Sequence, residues 1–353
     1  MSTTRKRSSK CSSLSSTSST PTQAPRSTPF GPPFDDADAD VVIRSSDEVD
    51  FHVYGVILSK SSSFFKSIFS RSQPDAASVS DSEKRPVINL RENSRTIEVL
   101  LAAIYPALSV GTEPLSLDDM IDAITAAKKY RMAAARQRLN EKFAVSKFVQ
   151  DNPVEAFCAA YSNELGKAAR VAAKASLKHR MTLDDIGDQL RYTNGPALHD
   201  LWKFHRACST AAAQAVSDNH LTWITNSHTE RWHFVLGDIT RQRCNCSLRV
   251  FHTYKVGHGA AARSWQIVAP WHNYITRARN VLLQHPCGEA VAHNSVYDPS
   301  YNEVLCPLCK ATLIALPEFI RLLGEEVDKR VSMVRDSLPY SNRSHSIALR
   351  RSI

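Results

Sequence analysis

The strongest constraint on the fold is the order of two patterns, because short β-branched segments come first and helical periodicity follows them. Residues 41–43 and 49–53 are rich in Val and are separated by a polar turn, which predicts a β-hairpin. Phe64 and Ile68 lie four residues apart, as do Phe65 and Phe69, so a helix with an apolar face is expected directly after the hairpin. Strands followed by helices indicate an α+β fold.

The segments that follow continue this order. Residues 87–90 predict another strand, and a helix is expected to open at Asn93 or Ser94, since Asn and Ser cap helix N-termini. Ser116 is a second candidate N-cap. A further helix is expected over residues 132–148, and helical spacing of apolar residues continues to about residue 334.

Composition divides the chain into five segments. Large apolar residues are scarce at the N-terminus, which is rich in Ser and Thr, so a disordered tail is expected there. The predicted boundaries are 1–33 for this tail, 34–148 for the strands and helices, 149–225 for a helical region, 226–336 for a helical region containing Trp and Cys, and 337–353 for a flexible basic tail.

The net charge of +9 is concentrated at the two ends of the chain. Residues 34–336 hold 36 basic and 35 acidic side chains, whereas a DNA-binding domain usually carries its excess on a folded face. No specific nucleic-acid partner is therefore expected. No apolar run has the length of about 18 residues that a membrane span needs, and no secretory signal is visible. We expect an intracellular protein, cytoplasmic or nuclear; Arg5-Lys6-Arg7 is a candidate nuclear localisation element.

The N-terminal motifs resemble those of the BTB/POZ domain, in its fungal branch. The resemblance rests on the runs D-A-D-V-V-I at 38–43, F-H-V-Y-G-V-I-L at 51–58 and S-S-S-F-F at 61–65, which match the opening strand, the second strand and the entry to two helices. Tyr54 stands where the family usually has His, and Gly55 where Lys or Arg is common. The resemblance assigns residues 34–148 to a BTB/POZ domain and extends, as an Ala-rich helical tail, to about residue 216.

The resemblance implies a non-enzymatic protein-interaction module, which binds a second copy of itself or docks other protein partners. Two alternatives remain: a substrate adaptor that binds a cullin in a ubiquitin ligase, and a transcription regulator. The chain has no phosphate-binding G-x-x-x-x-G-K-[ST], no G-x-S-x-G elbow and no H-E-x-x-H, which disfavours enzymatic activity. The adaptor would need a separate substrate-binding region, and the regulator would lack a zinc finger or basic zipper.

Five of the eight Cys lie between residues 244 and 309, which suggests a metal site. Two thiol pairs can supply the four soft ligands of a closed structural zinc site, and the pairs Cys244/Cys246 and Cys306/Cys309 meet that requirement. The alternative is that these thiols pack near a Trp-rich core. The remaining substitute ligands in this region are Cys287, His252, His285 and His293.

One helix of the middle region carries a mixed stripe. Leu201, Trp202, His205 and Cys208 are expected to share its inward face. His205 and Cys208, three residues apart, could present two metal ligands, but a core helix uses the same residues equally well.

Overall fold

The computed structural model describes most of the chain between residues 27 and 334. The described residues are 27–71, 85–105, 115–181, 192, 194–217, 220–225, 228, 251–259, 262–293, 296 and 313–334.

The N-terminal unit contains a four-stranded sheet. Its strands are β1 (Thr28–Pro29), β2 (Val41–Arg44), β3 (Val49–Val53) and β4 (Val87–Asn89), in the order β1-β3-β2-β4. The predicted hairpin is β2 paired antiparallel with β3, and the two outer strands run parallel to their neighbours. Ile43 lies opposite Phe51 in the register, and both are buried, because alternate side chains of a strand point into the core.

Helices follow the hairpin as the spacing predicted, but the single helix expected over residues 132–148 is divided in two at residues 145–146. They are α1 (Gly55–Ser61), α2 (Ser63–Arg71), α3 (Ser94–Ala102), α4 (Leu117–Lys129), α5 (Ala133–Ala144) and α6 (Lys147–Asp151). Asn93 caps α3 by accepting a hydrogen bond from the Thr96 backbone N–H. Ser116 caps α4 in a capping box with Asp119, whose side chain accepts from the Ser116 N–H at 3.0 Å. Both predicted helix starts are confirmed.

The middle region is helical and continues the core of the first unit. Its helices are α7 (Pro153–Ser162), α8 (Gly166–Ser176) and α9 (Gly195–Ala213). Buried residues of the strands and of α1–α8 form one hydrophobic cluster, which extends along α9 as far as Cys208. From Ala212 onward, α9 contributes to a second cluster. One helix therefore belongs to two hydrophobic cores.

The second core lies in the C-terminal region. It is built from a three-stranded sheet of β5 (His220–Leu221), β6 (Phe251–Val256) and β7 (Arg263–Val268), with the helices α10 (Ala269–Leu282) and α11 (Leu316–Ser332). Trp271 and Tyr274 on α10 pack against Phe319 on α11, with ring centroids 4.9 and 6.1 Å apart. The last helix ends near residue 334, where the helical spacing of apolar residues stops in the sequence.

Three expectations need correction or extension. The tail predicted over residues 1–33 reaches into the fold, because Thr28–Pro29 form β1 and the ring of Phe30 stacks on that of Phe51. The region 226–336 contains β6 and β7 as well as helices, although the overall α+β class is confirmed. Trp202 does not share the buried face of Leu201 and is 37% exposed.

Candidate interaction surfaces

Polar contacts fix the start of α1 on the sheet. The Asp40 carboxylate accepts from the Gly55 backbone N–H at 2.7 Å, and the Tyr105 hydroxyl accepts from the Tyr54 N–H at 2.8 Å. The Tyr54 hydroxyl donates to Asp36, which raises the pKa of Tyr54 to about 12 and lowers that of Asp36. A Cβ atom at residue 55 would lie 3.2 Å from the Asp40 carboxylate, so glycine suits this close approach.

This arrangement explains both departures from the family pattern. The Cβ atom of a basic side chain at position 55 would press against the carboxylate that bonds the first N–H of α1, which would have to shift by a few tenths of an ångström. A phenol at position 54 reaches Asp36, which lies 18 residues earlier in the loop before β2. The hairpin-to-helix junction is therefore held by an acid–tyrosine contact.

Helices α1 and α2 carry apolar side chains that are not fully buried. Val56 is 58% exposed, and the others are half-buried against the first core. We call this set the α1–α2 apolar face; it consists of Val56, Ile57, Phe64, Ile68 and Phe69. Since the two helices pack against each other, these side chains are presented by a single helical pair. An apolar face of this kind favours contact with another protein.

Hydrogen bonds of the backbone and of side chains next to it hold the edge strand β1 on the sheet. Asp50 accepts hydrogen bonds from the Arg44 guanidinium at 2.7 Å and from the Ser27 hydroxyl at 2.7 Å. Its bond with Arg44 lowers the pKa of Asp50. The backbone N–H of Phe30 donates to the Asp50 carbonyl of β3, and that of Thr28 donates to the Glu48 carbonyl just before β3, both at 2.9 Å. The two outer strands, β1 and β4, pair in parallel with β3 and β2. The free edge of an outer strand can pair with a strand of a partner protein.

The predicted zinc ligands Cys244, Cys246, Cys306 and Cys309 lie outside the described residues. Among the substitutes, His252 stacks on His272 with ring centroids 3.5 Å apart. In the stretches that the structure describes, no three His, Cys, Asp or Glu side chains are grouped to hold a metal ion.

His205 and Cys208 are both buried in the first core or at its edge. Burial lowers the pKa of His205 to about 4 and raises that of Cys208 to about 12, so both side chains are neutral near pH 7. A neutral imidazole and a protonated thiol pack as core residues. The structure thus favours the packing interpretation of this pair.

Helix α8 and the residues just after it carry a row of three basic side chains, the basic row, which the sequence patterns above did not indicate. Arg170 and Lys174 lie on this helix and Lys178 lies just beyond its end, at successive spacings of four residues, and all three side chains are exposed. The spacing is visible in the sequence as a signal for one helical face. The side chains opposite the basic row, such as Phe204 and Val331, come from distant segments of the chain, so local sequence patterns do not reveal them.

The comparisons with known proteins identify one part of the chain. The family model for the BTB/POZ domain matches residues 33–147, so this part of the chain is a BTB/POZ domain and supports protein–protein interaction. A search of curated proteins gave no match. None of the described helices combines the length and apolar character needed to cross a membrane.

Proposed function

We propose that the chain is a non-enzymatic interaction protein whose BTB/POZ domain binds a second copy of the chain. The observation that carries this proposal is the α1–α2 apolar face, of which Val56 is 58% exposed and the other four side chains, aromatic and aliphatic, are half-buried. In a symmetric dimer each copy would bury the same face, so the apolar areas of both copies would be removed from water and would stabilise the contact.

Charge substitution on this face tests the proposal. Light scattering of the full chain at micromolar concentration should give the mass of a dimer, and Val56→Glu should shift it to the monomer because a carboxylate would be buried at the interface. Val145→Glu is the matched control: Val145 is 82% exposed, lies at the end of α5 and should leave the dimer intact. A monomeric wild-type chain, or equal loss in both variants, would contradict self-association.

A cullin-dependent substrate adaptor is the second candidate, and the second hydrophobic core favours it. An adaptor needs a substrate-binding region apart from its BTB/POZ domain, and the C-terminal sheet and helices supply a unit with its own core. Affinity capture with mass spectrometry distinguishes the roles: recovery of a cullin supports the adaptor, whereas recovery of chromatin proteins supports the transcription regulator.

We also propose a structural zinc ion held by Cys244, Cys246, Cys306 and Cys309. The sequence neighbourhood of the two pairs supports it, since Tyr254, eight residues after Cys246, and Leu313, four residues after Cys309, both belong to the second core. Four thiolates would leave no open position for a reactive water, so the ion would stabilise the region without catalysing hydrolysis. Metal analysis should find about one zinc per chain, and the quadruple Cys→Ser variant should lose it. Purified wild-type protein without zinc would contradict this proposal.

A further inference from the structure

A groove of about 730 Å³ lies between the helical region and the C-terminal unit. One wall is the basic row of Arg170, Lys174 and Lys178. Side chains four residues apart lie on one helical face, and a rise of 1.5 Å per residue spaces the ends of this row about 12 Å apart. The groove, hereafter the basic groove, thus presents three positive charges along a line.

The rest of the basic groove carries apolar side chains from distant segments, together with Cys287, Asp328 and Ser332. Leu177 and Phe204 form the floor of the groove, and only 3% and 1% of their surfaces are exposed to solvent. Val331 and Val334, from the end of α11 and the residues after it, are half-buried and complete it. A ligand in the groove would meet cations on one side and aliphatic or aromatic groups on the other.

Two of the three cations of the row have no ion-pair partner among the described residues, and two carboxylates, Glu289 and Asp328, lie close to the third. Lys178 pairs with Glu289 at 2.7 Å, on an exposed surface where such a pair contributes little. Asp328, the acid in the groove, accepts the Gly288 backbone N–H at 2.7 Å. Over the part of the chain that the structure describes, neither Arg170 nor Lys174 forms an ion pair.

We infer that the basic groove binds an acidic, partly apolar peptide segment of a partner protein, a second interaction site separate from the BTB/POZ domain. Three cations in a row over about 12 Å match several carboxylates along an extended chain better than one anionic group. The apolar floor accepts the alternate side chains of such a segment. Neither terminus of this chain suits the groove, since residues 1–26 carry five basic residues and no acid, and residues 337–353 carry three and none.

Fluorescence anisotropy with the full chain tests this inference. The probe is a labelled peptide of Glu and Leu, and the same peptide with Gln in place of Glu is its neutral counterpart. The acidic peptide should bind, and the double variant Arg170→Glu/Lys174→Glu should weaken binding about tenfold or more, because each reversal replaces an attraction by a repulsion. Both side chains are exposed, so the variant should fold, which circular dichroism checks. The single variant Lys174→Gln should give a smaller loss in the same direction.

Lys203→Glu is the control for a charge reversal outside the basic groove. Lys203 lies in a different hollow, beside Trp202 on the outer surface of α9, so this variant should keep the wild-type affinity. Three results would overturn the inference: equal binding of the Gln peptide, equal weakening by Lys203→Glu, or displacement of the peptide by a single-stranded oligonucleotide or by anionic vesicles that bind more tightly. None of these readouts depends on whether the BTB/POZ domain forms dimers.

Discussion

Gly324 on α11 lies so close to Gly288 that a Cβ atom on Gly324 would be 3.0 Å from the Gly288 carbonyl oxygen. The constraint is tighter in the other direction, because a Cβ atom on Gly288 would lie 2.6 Å from the Asp328 carboxylate and would overlap the Gly324 backbone. Two backbones therefore meet directly where the turn after α10 crosses α11, beside the basic groove.

Gly288→Ala should destabilise the protein because backbone atoms, rather than a flexible side chain, stand in the way of the added methyl group. We expect a loss of about 1–3 kcal/mol in the free energy of unfolding, measured by urea denaturation. Gly195→Ala, at the start of α9, is the matched control, since no atom lies within 4 Å of its added Cβ. An equal loss at both positions would show that the close approach is not responsible.

The capping box at Ser116 should contribute measurably to stability. Its hydroxyl accepts from the Asp119 N–H at 3.1 Å, so Ser116→Ala should cost about 1 kcal/mol in urea denaturation. Ser146 precedes α6 without a side-chain capping bond, and Ser146→Ala should cost less. A larger effect at Ser146 than at Ser116 would contradict the capping argument.

Truncation at two nearby points should separate the predicted tail from β1. Deletion of residues 1–33 removes β1 and Phe30, whose ring lies 4.4 Å from that of Phe51, and should lower Tm by several degrees. Deletion of residues 1–26 keeps both features and should have a smaller effect, because that segment lacks apolar periodicity. Equal melting temperatures for the two truncations, measured by differential scanning fluorimetry, would exclude a stabilising role for β1.

The stability of the fold should decrease in mild acid because of His205. Its pKa is lowered from 6.5 to about 4, chiefly by burial, and nearby His285 acts in the same direction, whereas a backbone contact with His179 opposes them. At His205 the unfolded chain binds a proton more readily than the folded chain. The contribution of this group to the free energy of unfolding is therefore complete above pH 6.5 and is lost as the pH falls toward 4. The loss attributable to this group is about 3 kcal/mol.

His205→Gln should flatten this part of the pH dependence, measured by urea denaturation between pH 7 and pH 4. The amide cannot titrate, and its N–H can still bond the nearby backbone. His220→Gln, which removes an exposed imidazole, is the matched control. An unchanged slope in His205→Gln would assign the acid sensitivity to other groups.

Local patterns predicted most of the N-terminal unit. The hairpin over residues 41–53 and the caps at Asn93 and Ser116 are confirmed, because each depends on neighbours within a few residues. The strand β1 was missed since Thr28–Pro29 has no strand-like pattern of its own and is held by pairing with β3. Trp202 was misplaced because it lies about 100° around the helix from the buried Leu201, and at this position that rotation turns its side chain toward solvent.

The C-terminal sheet was missed although a signal was present. Tyr254 and Val256 are buried while Thr253 and Lys255 are exposed, an alternation that is visible in the sequence. The abundance of Trp and Tyr in this region suggested core helices instead. The basic groove could not be predicted from local patterns. Its cations lie on α8 and just beyond its end, whereas Val331 and Val334, which complete its apolar surface, lie more than 150 residues later in the chain.

The sharing of α9 between the two cores determines which fragments of the chain can stand alone. A fragment ending at residue 147 would expose to water the sites against which Phe157 and Leu201 pack, because these residues complete the same cluster as Phe51 and Leu139. A fragment that starts after residue 216 would leave the second core without Ala212 and Val216. Heat should therefore melt the two halves in one transition rather than two, and loss of either half should make the other prone to aggregation.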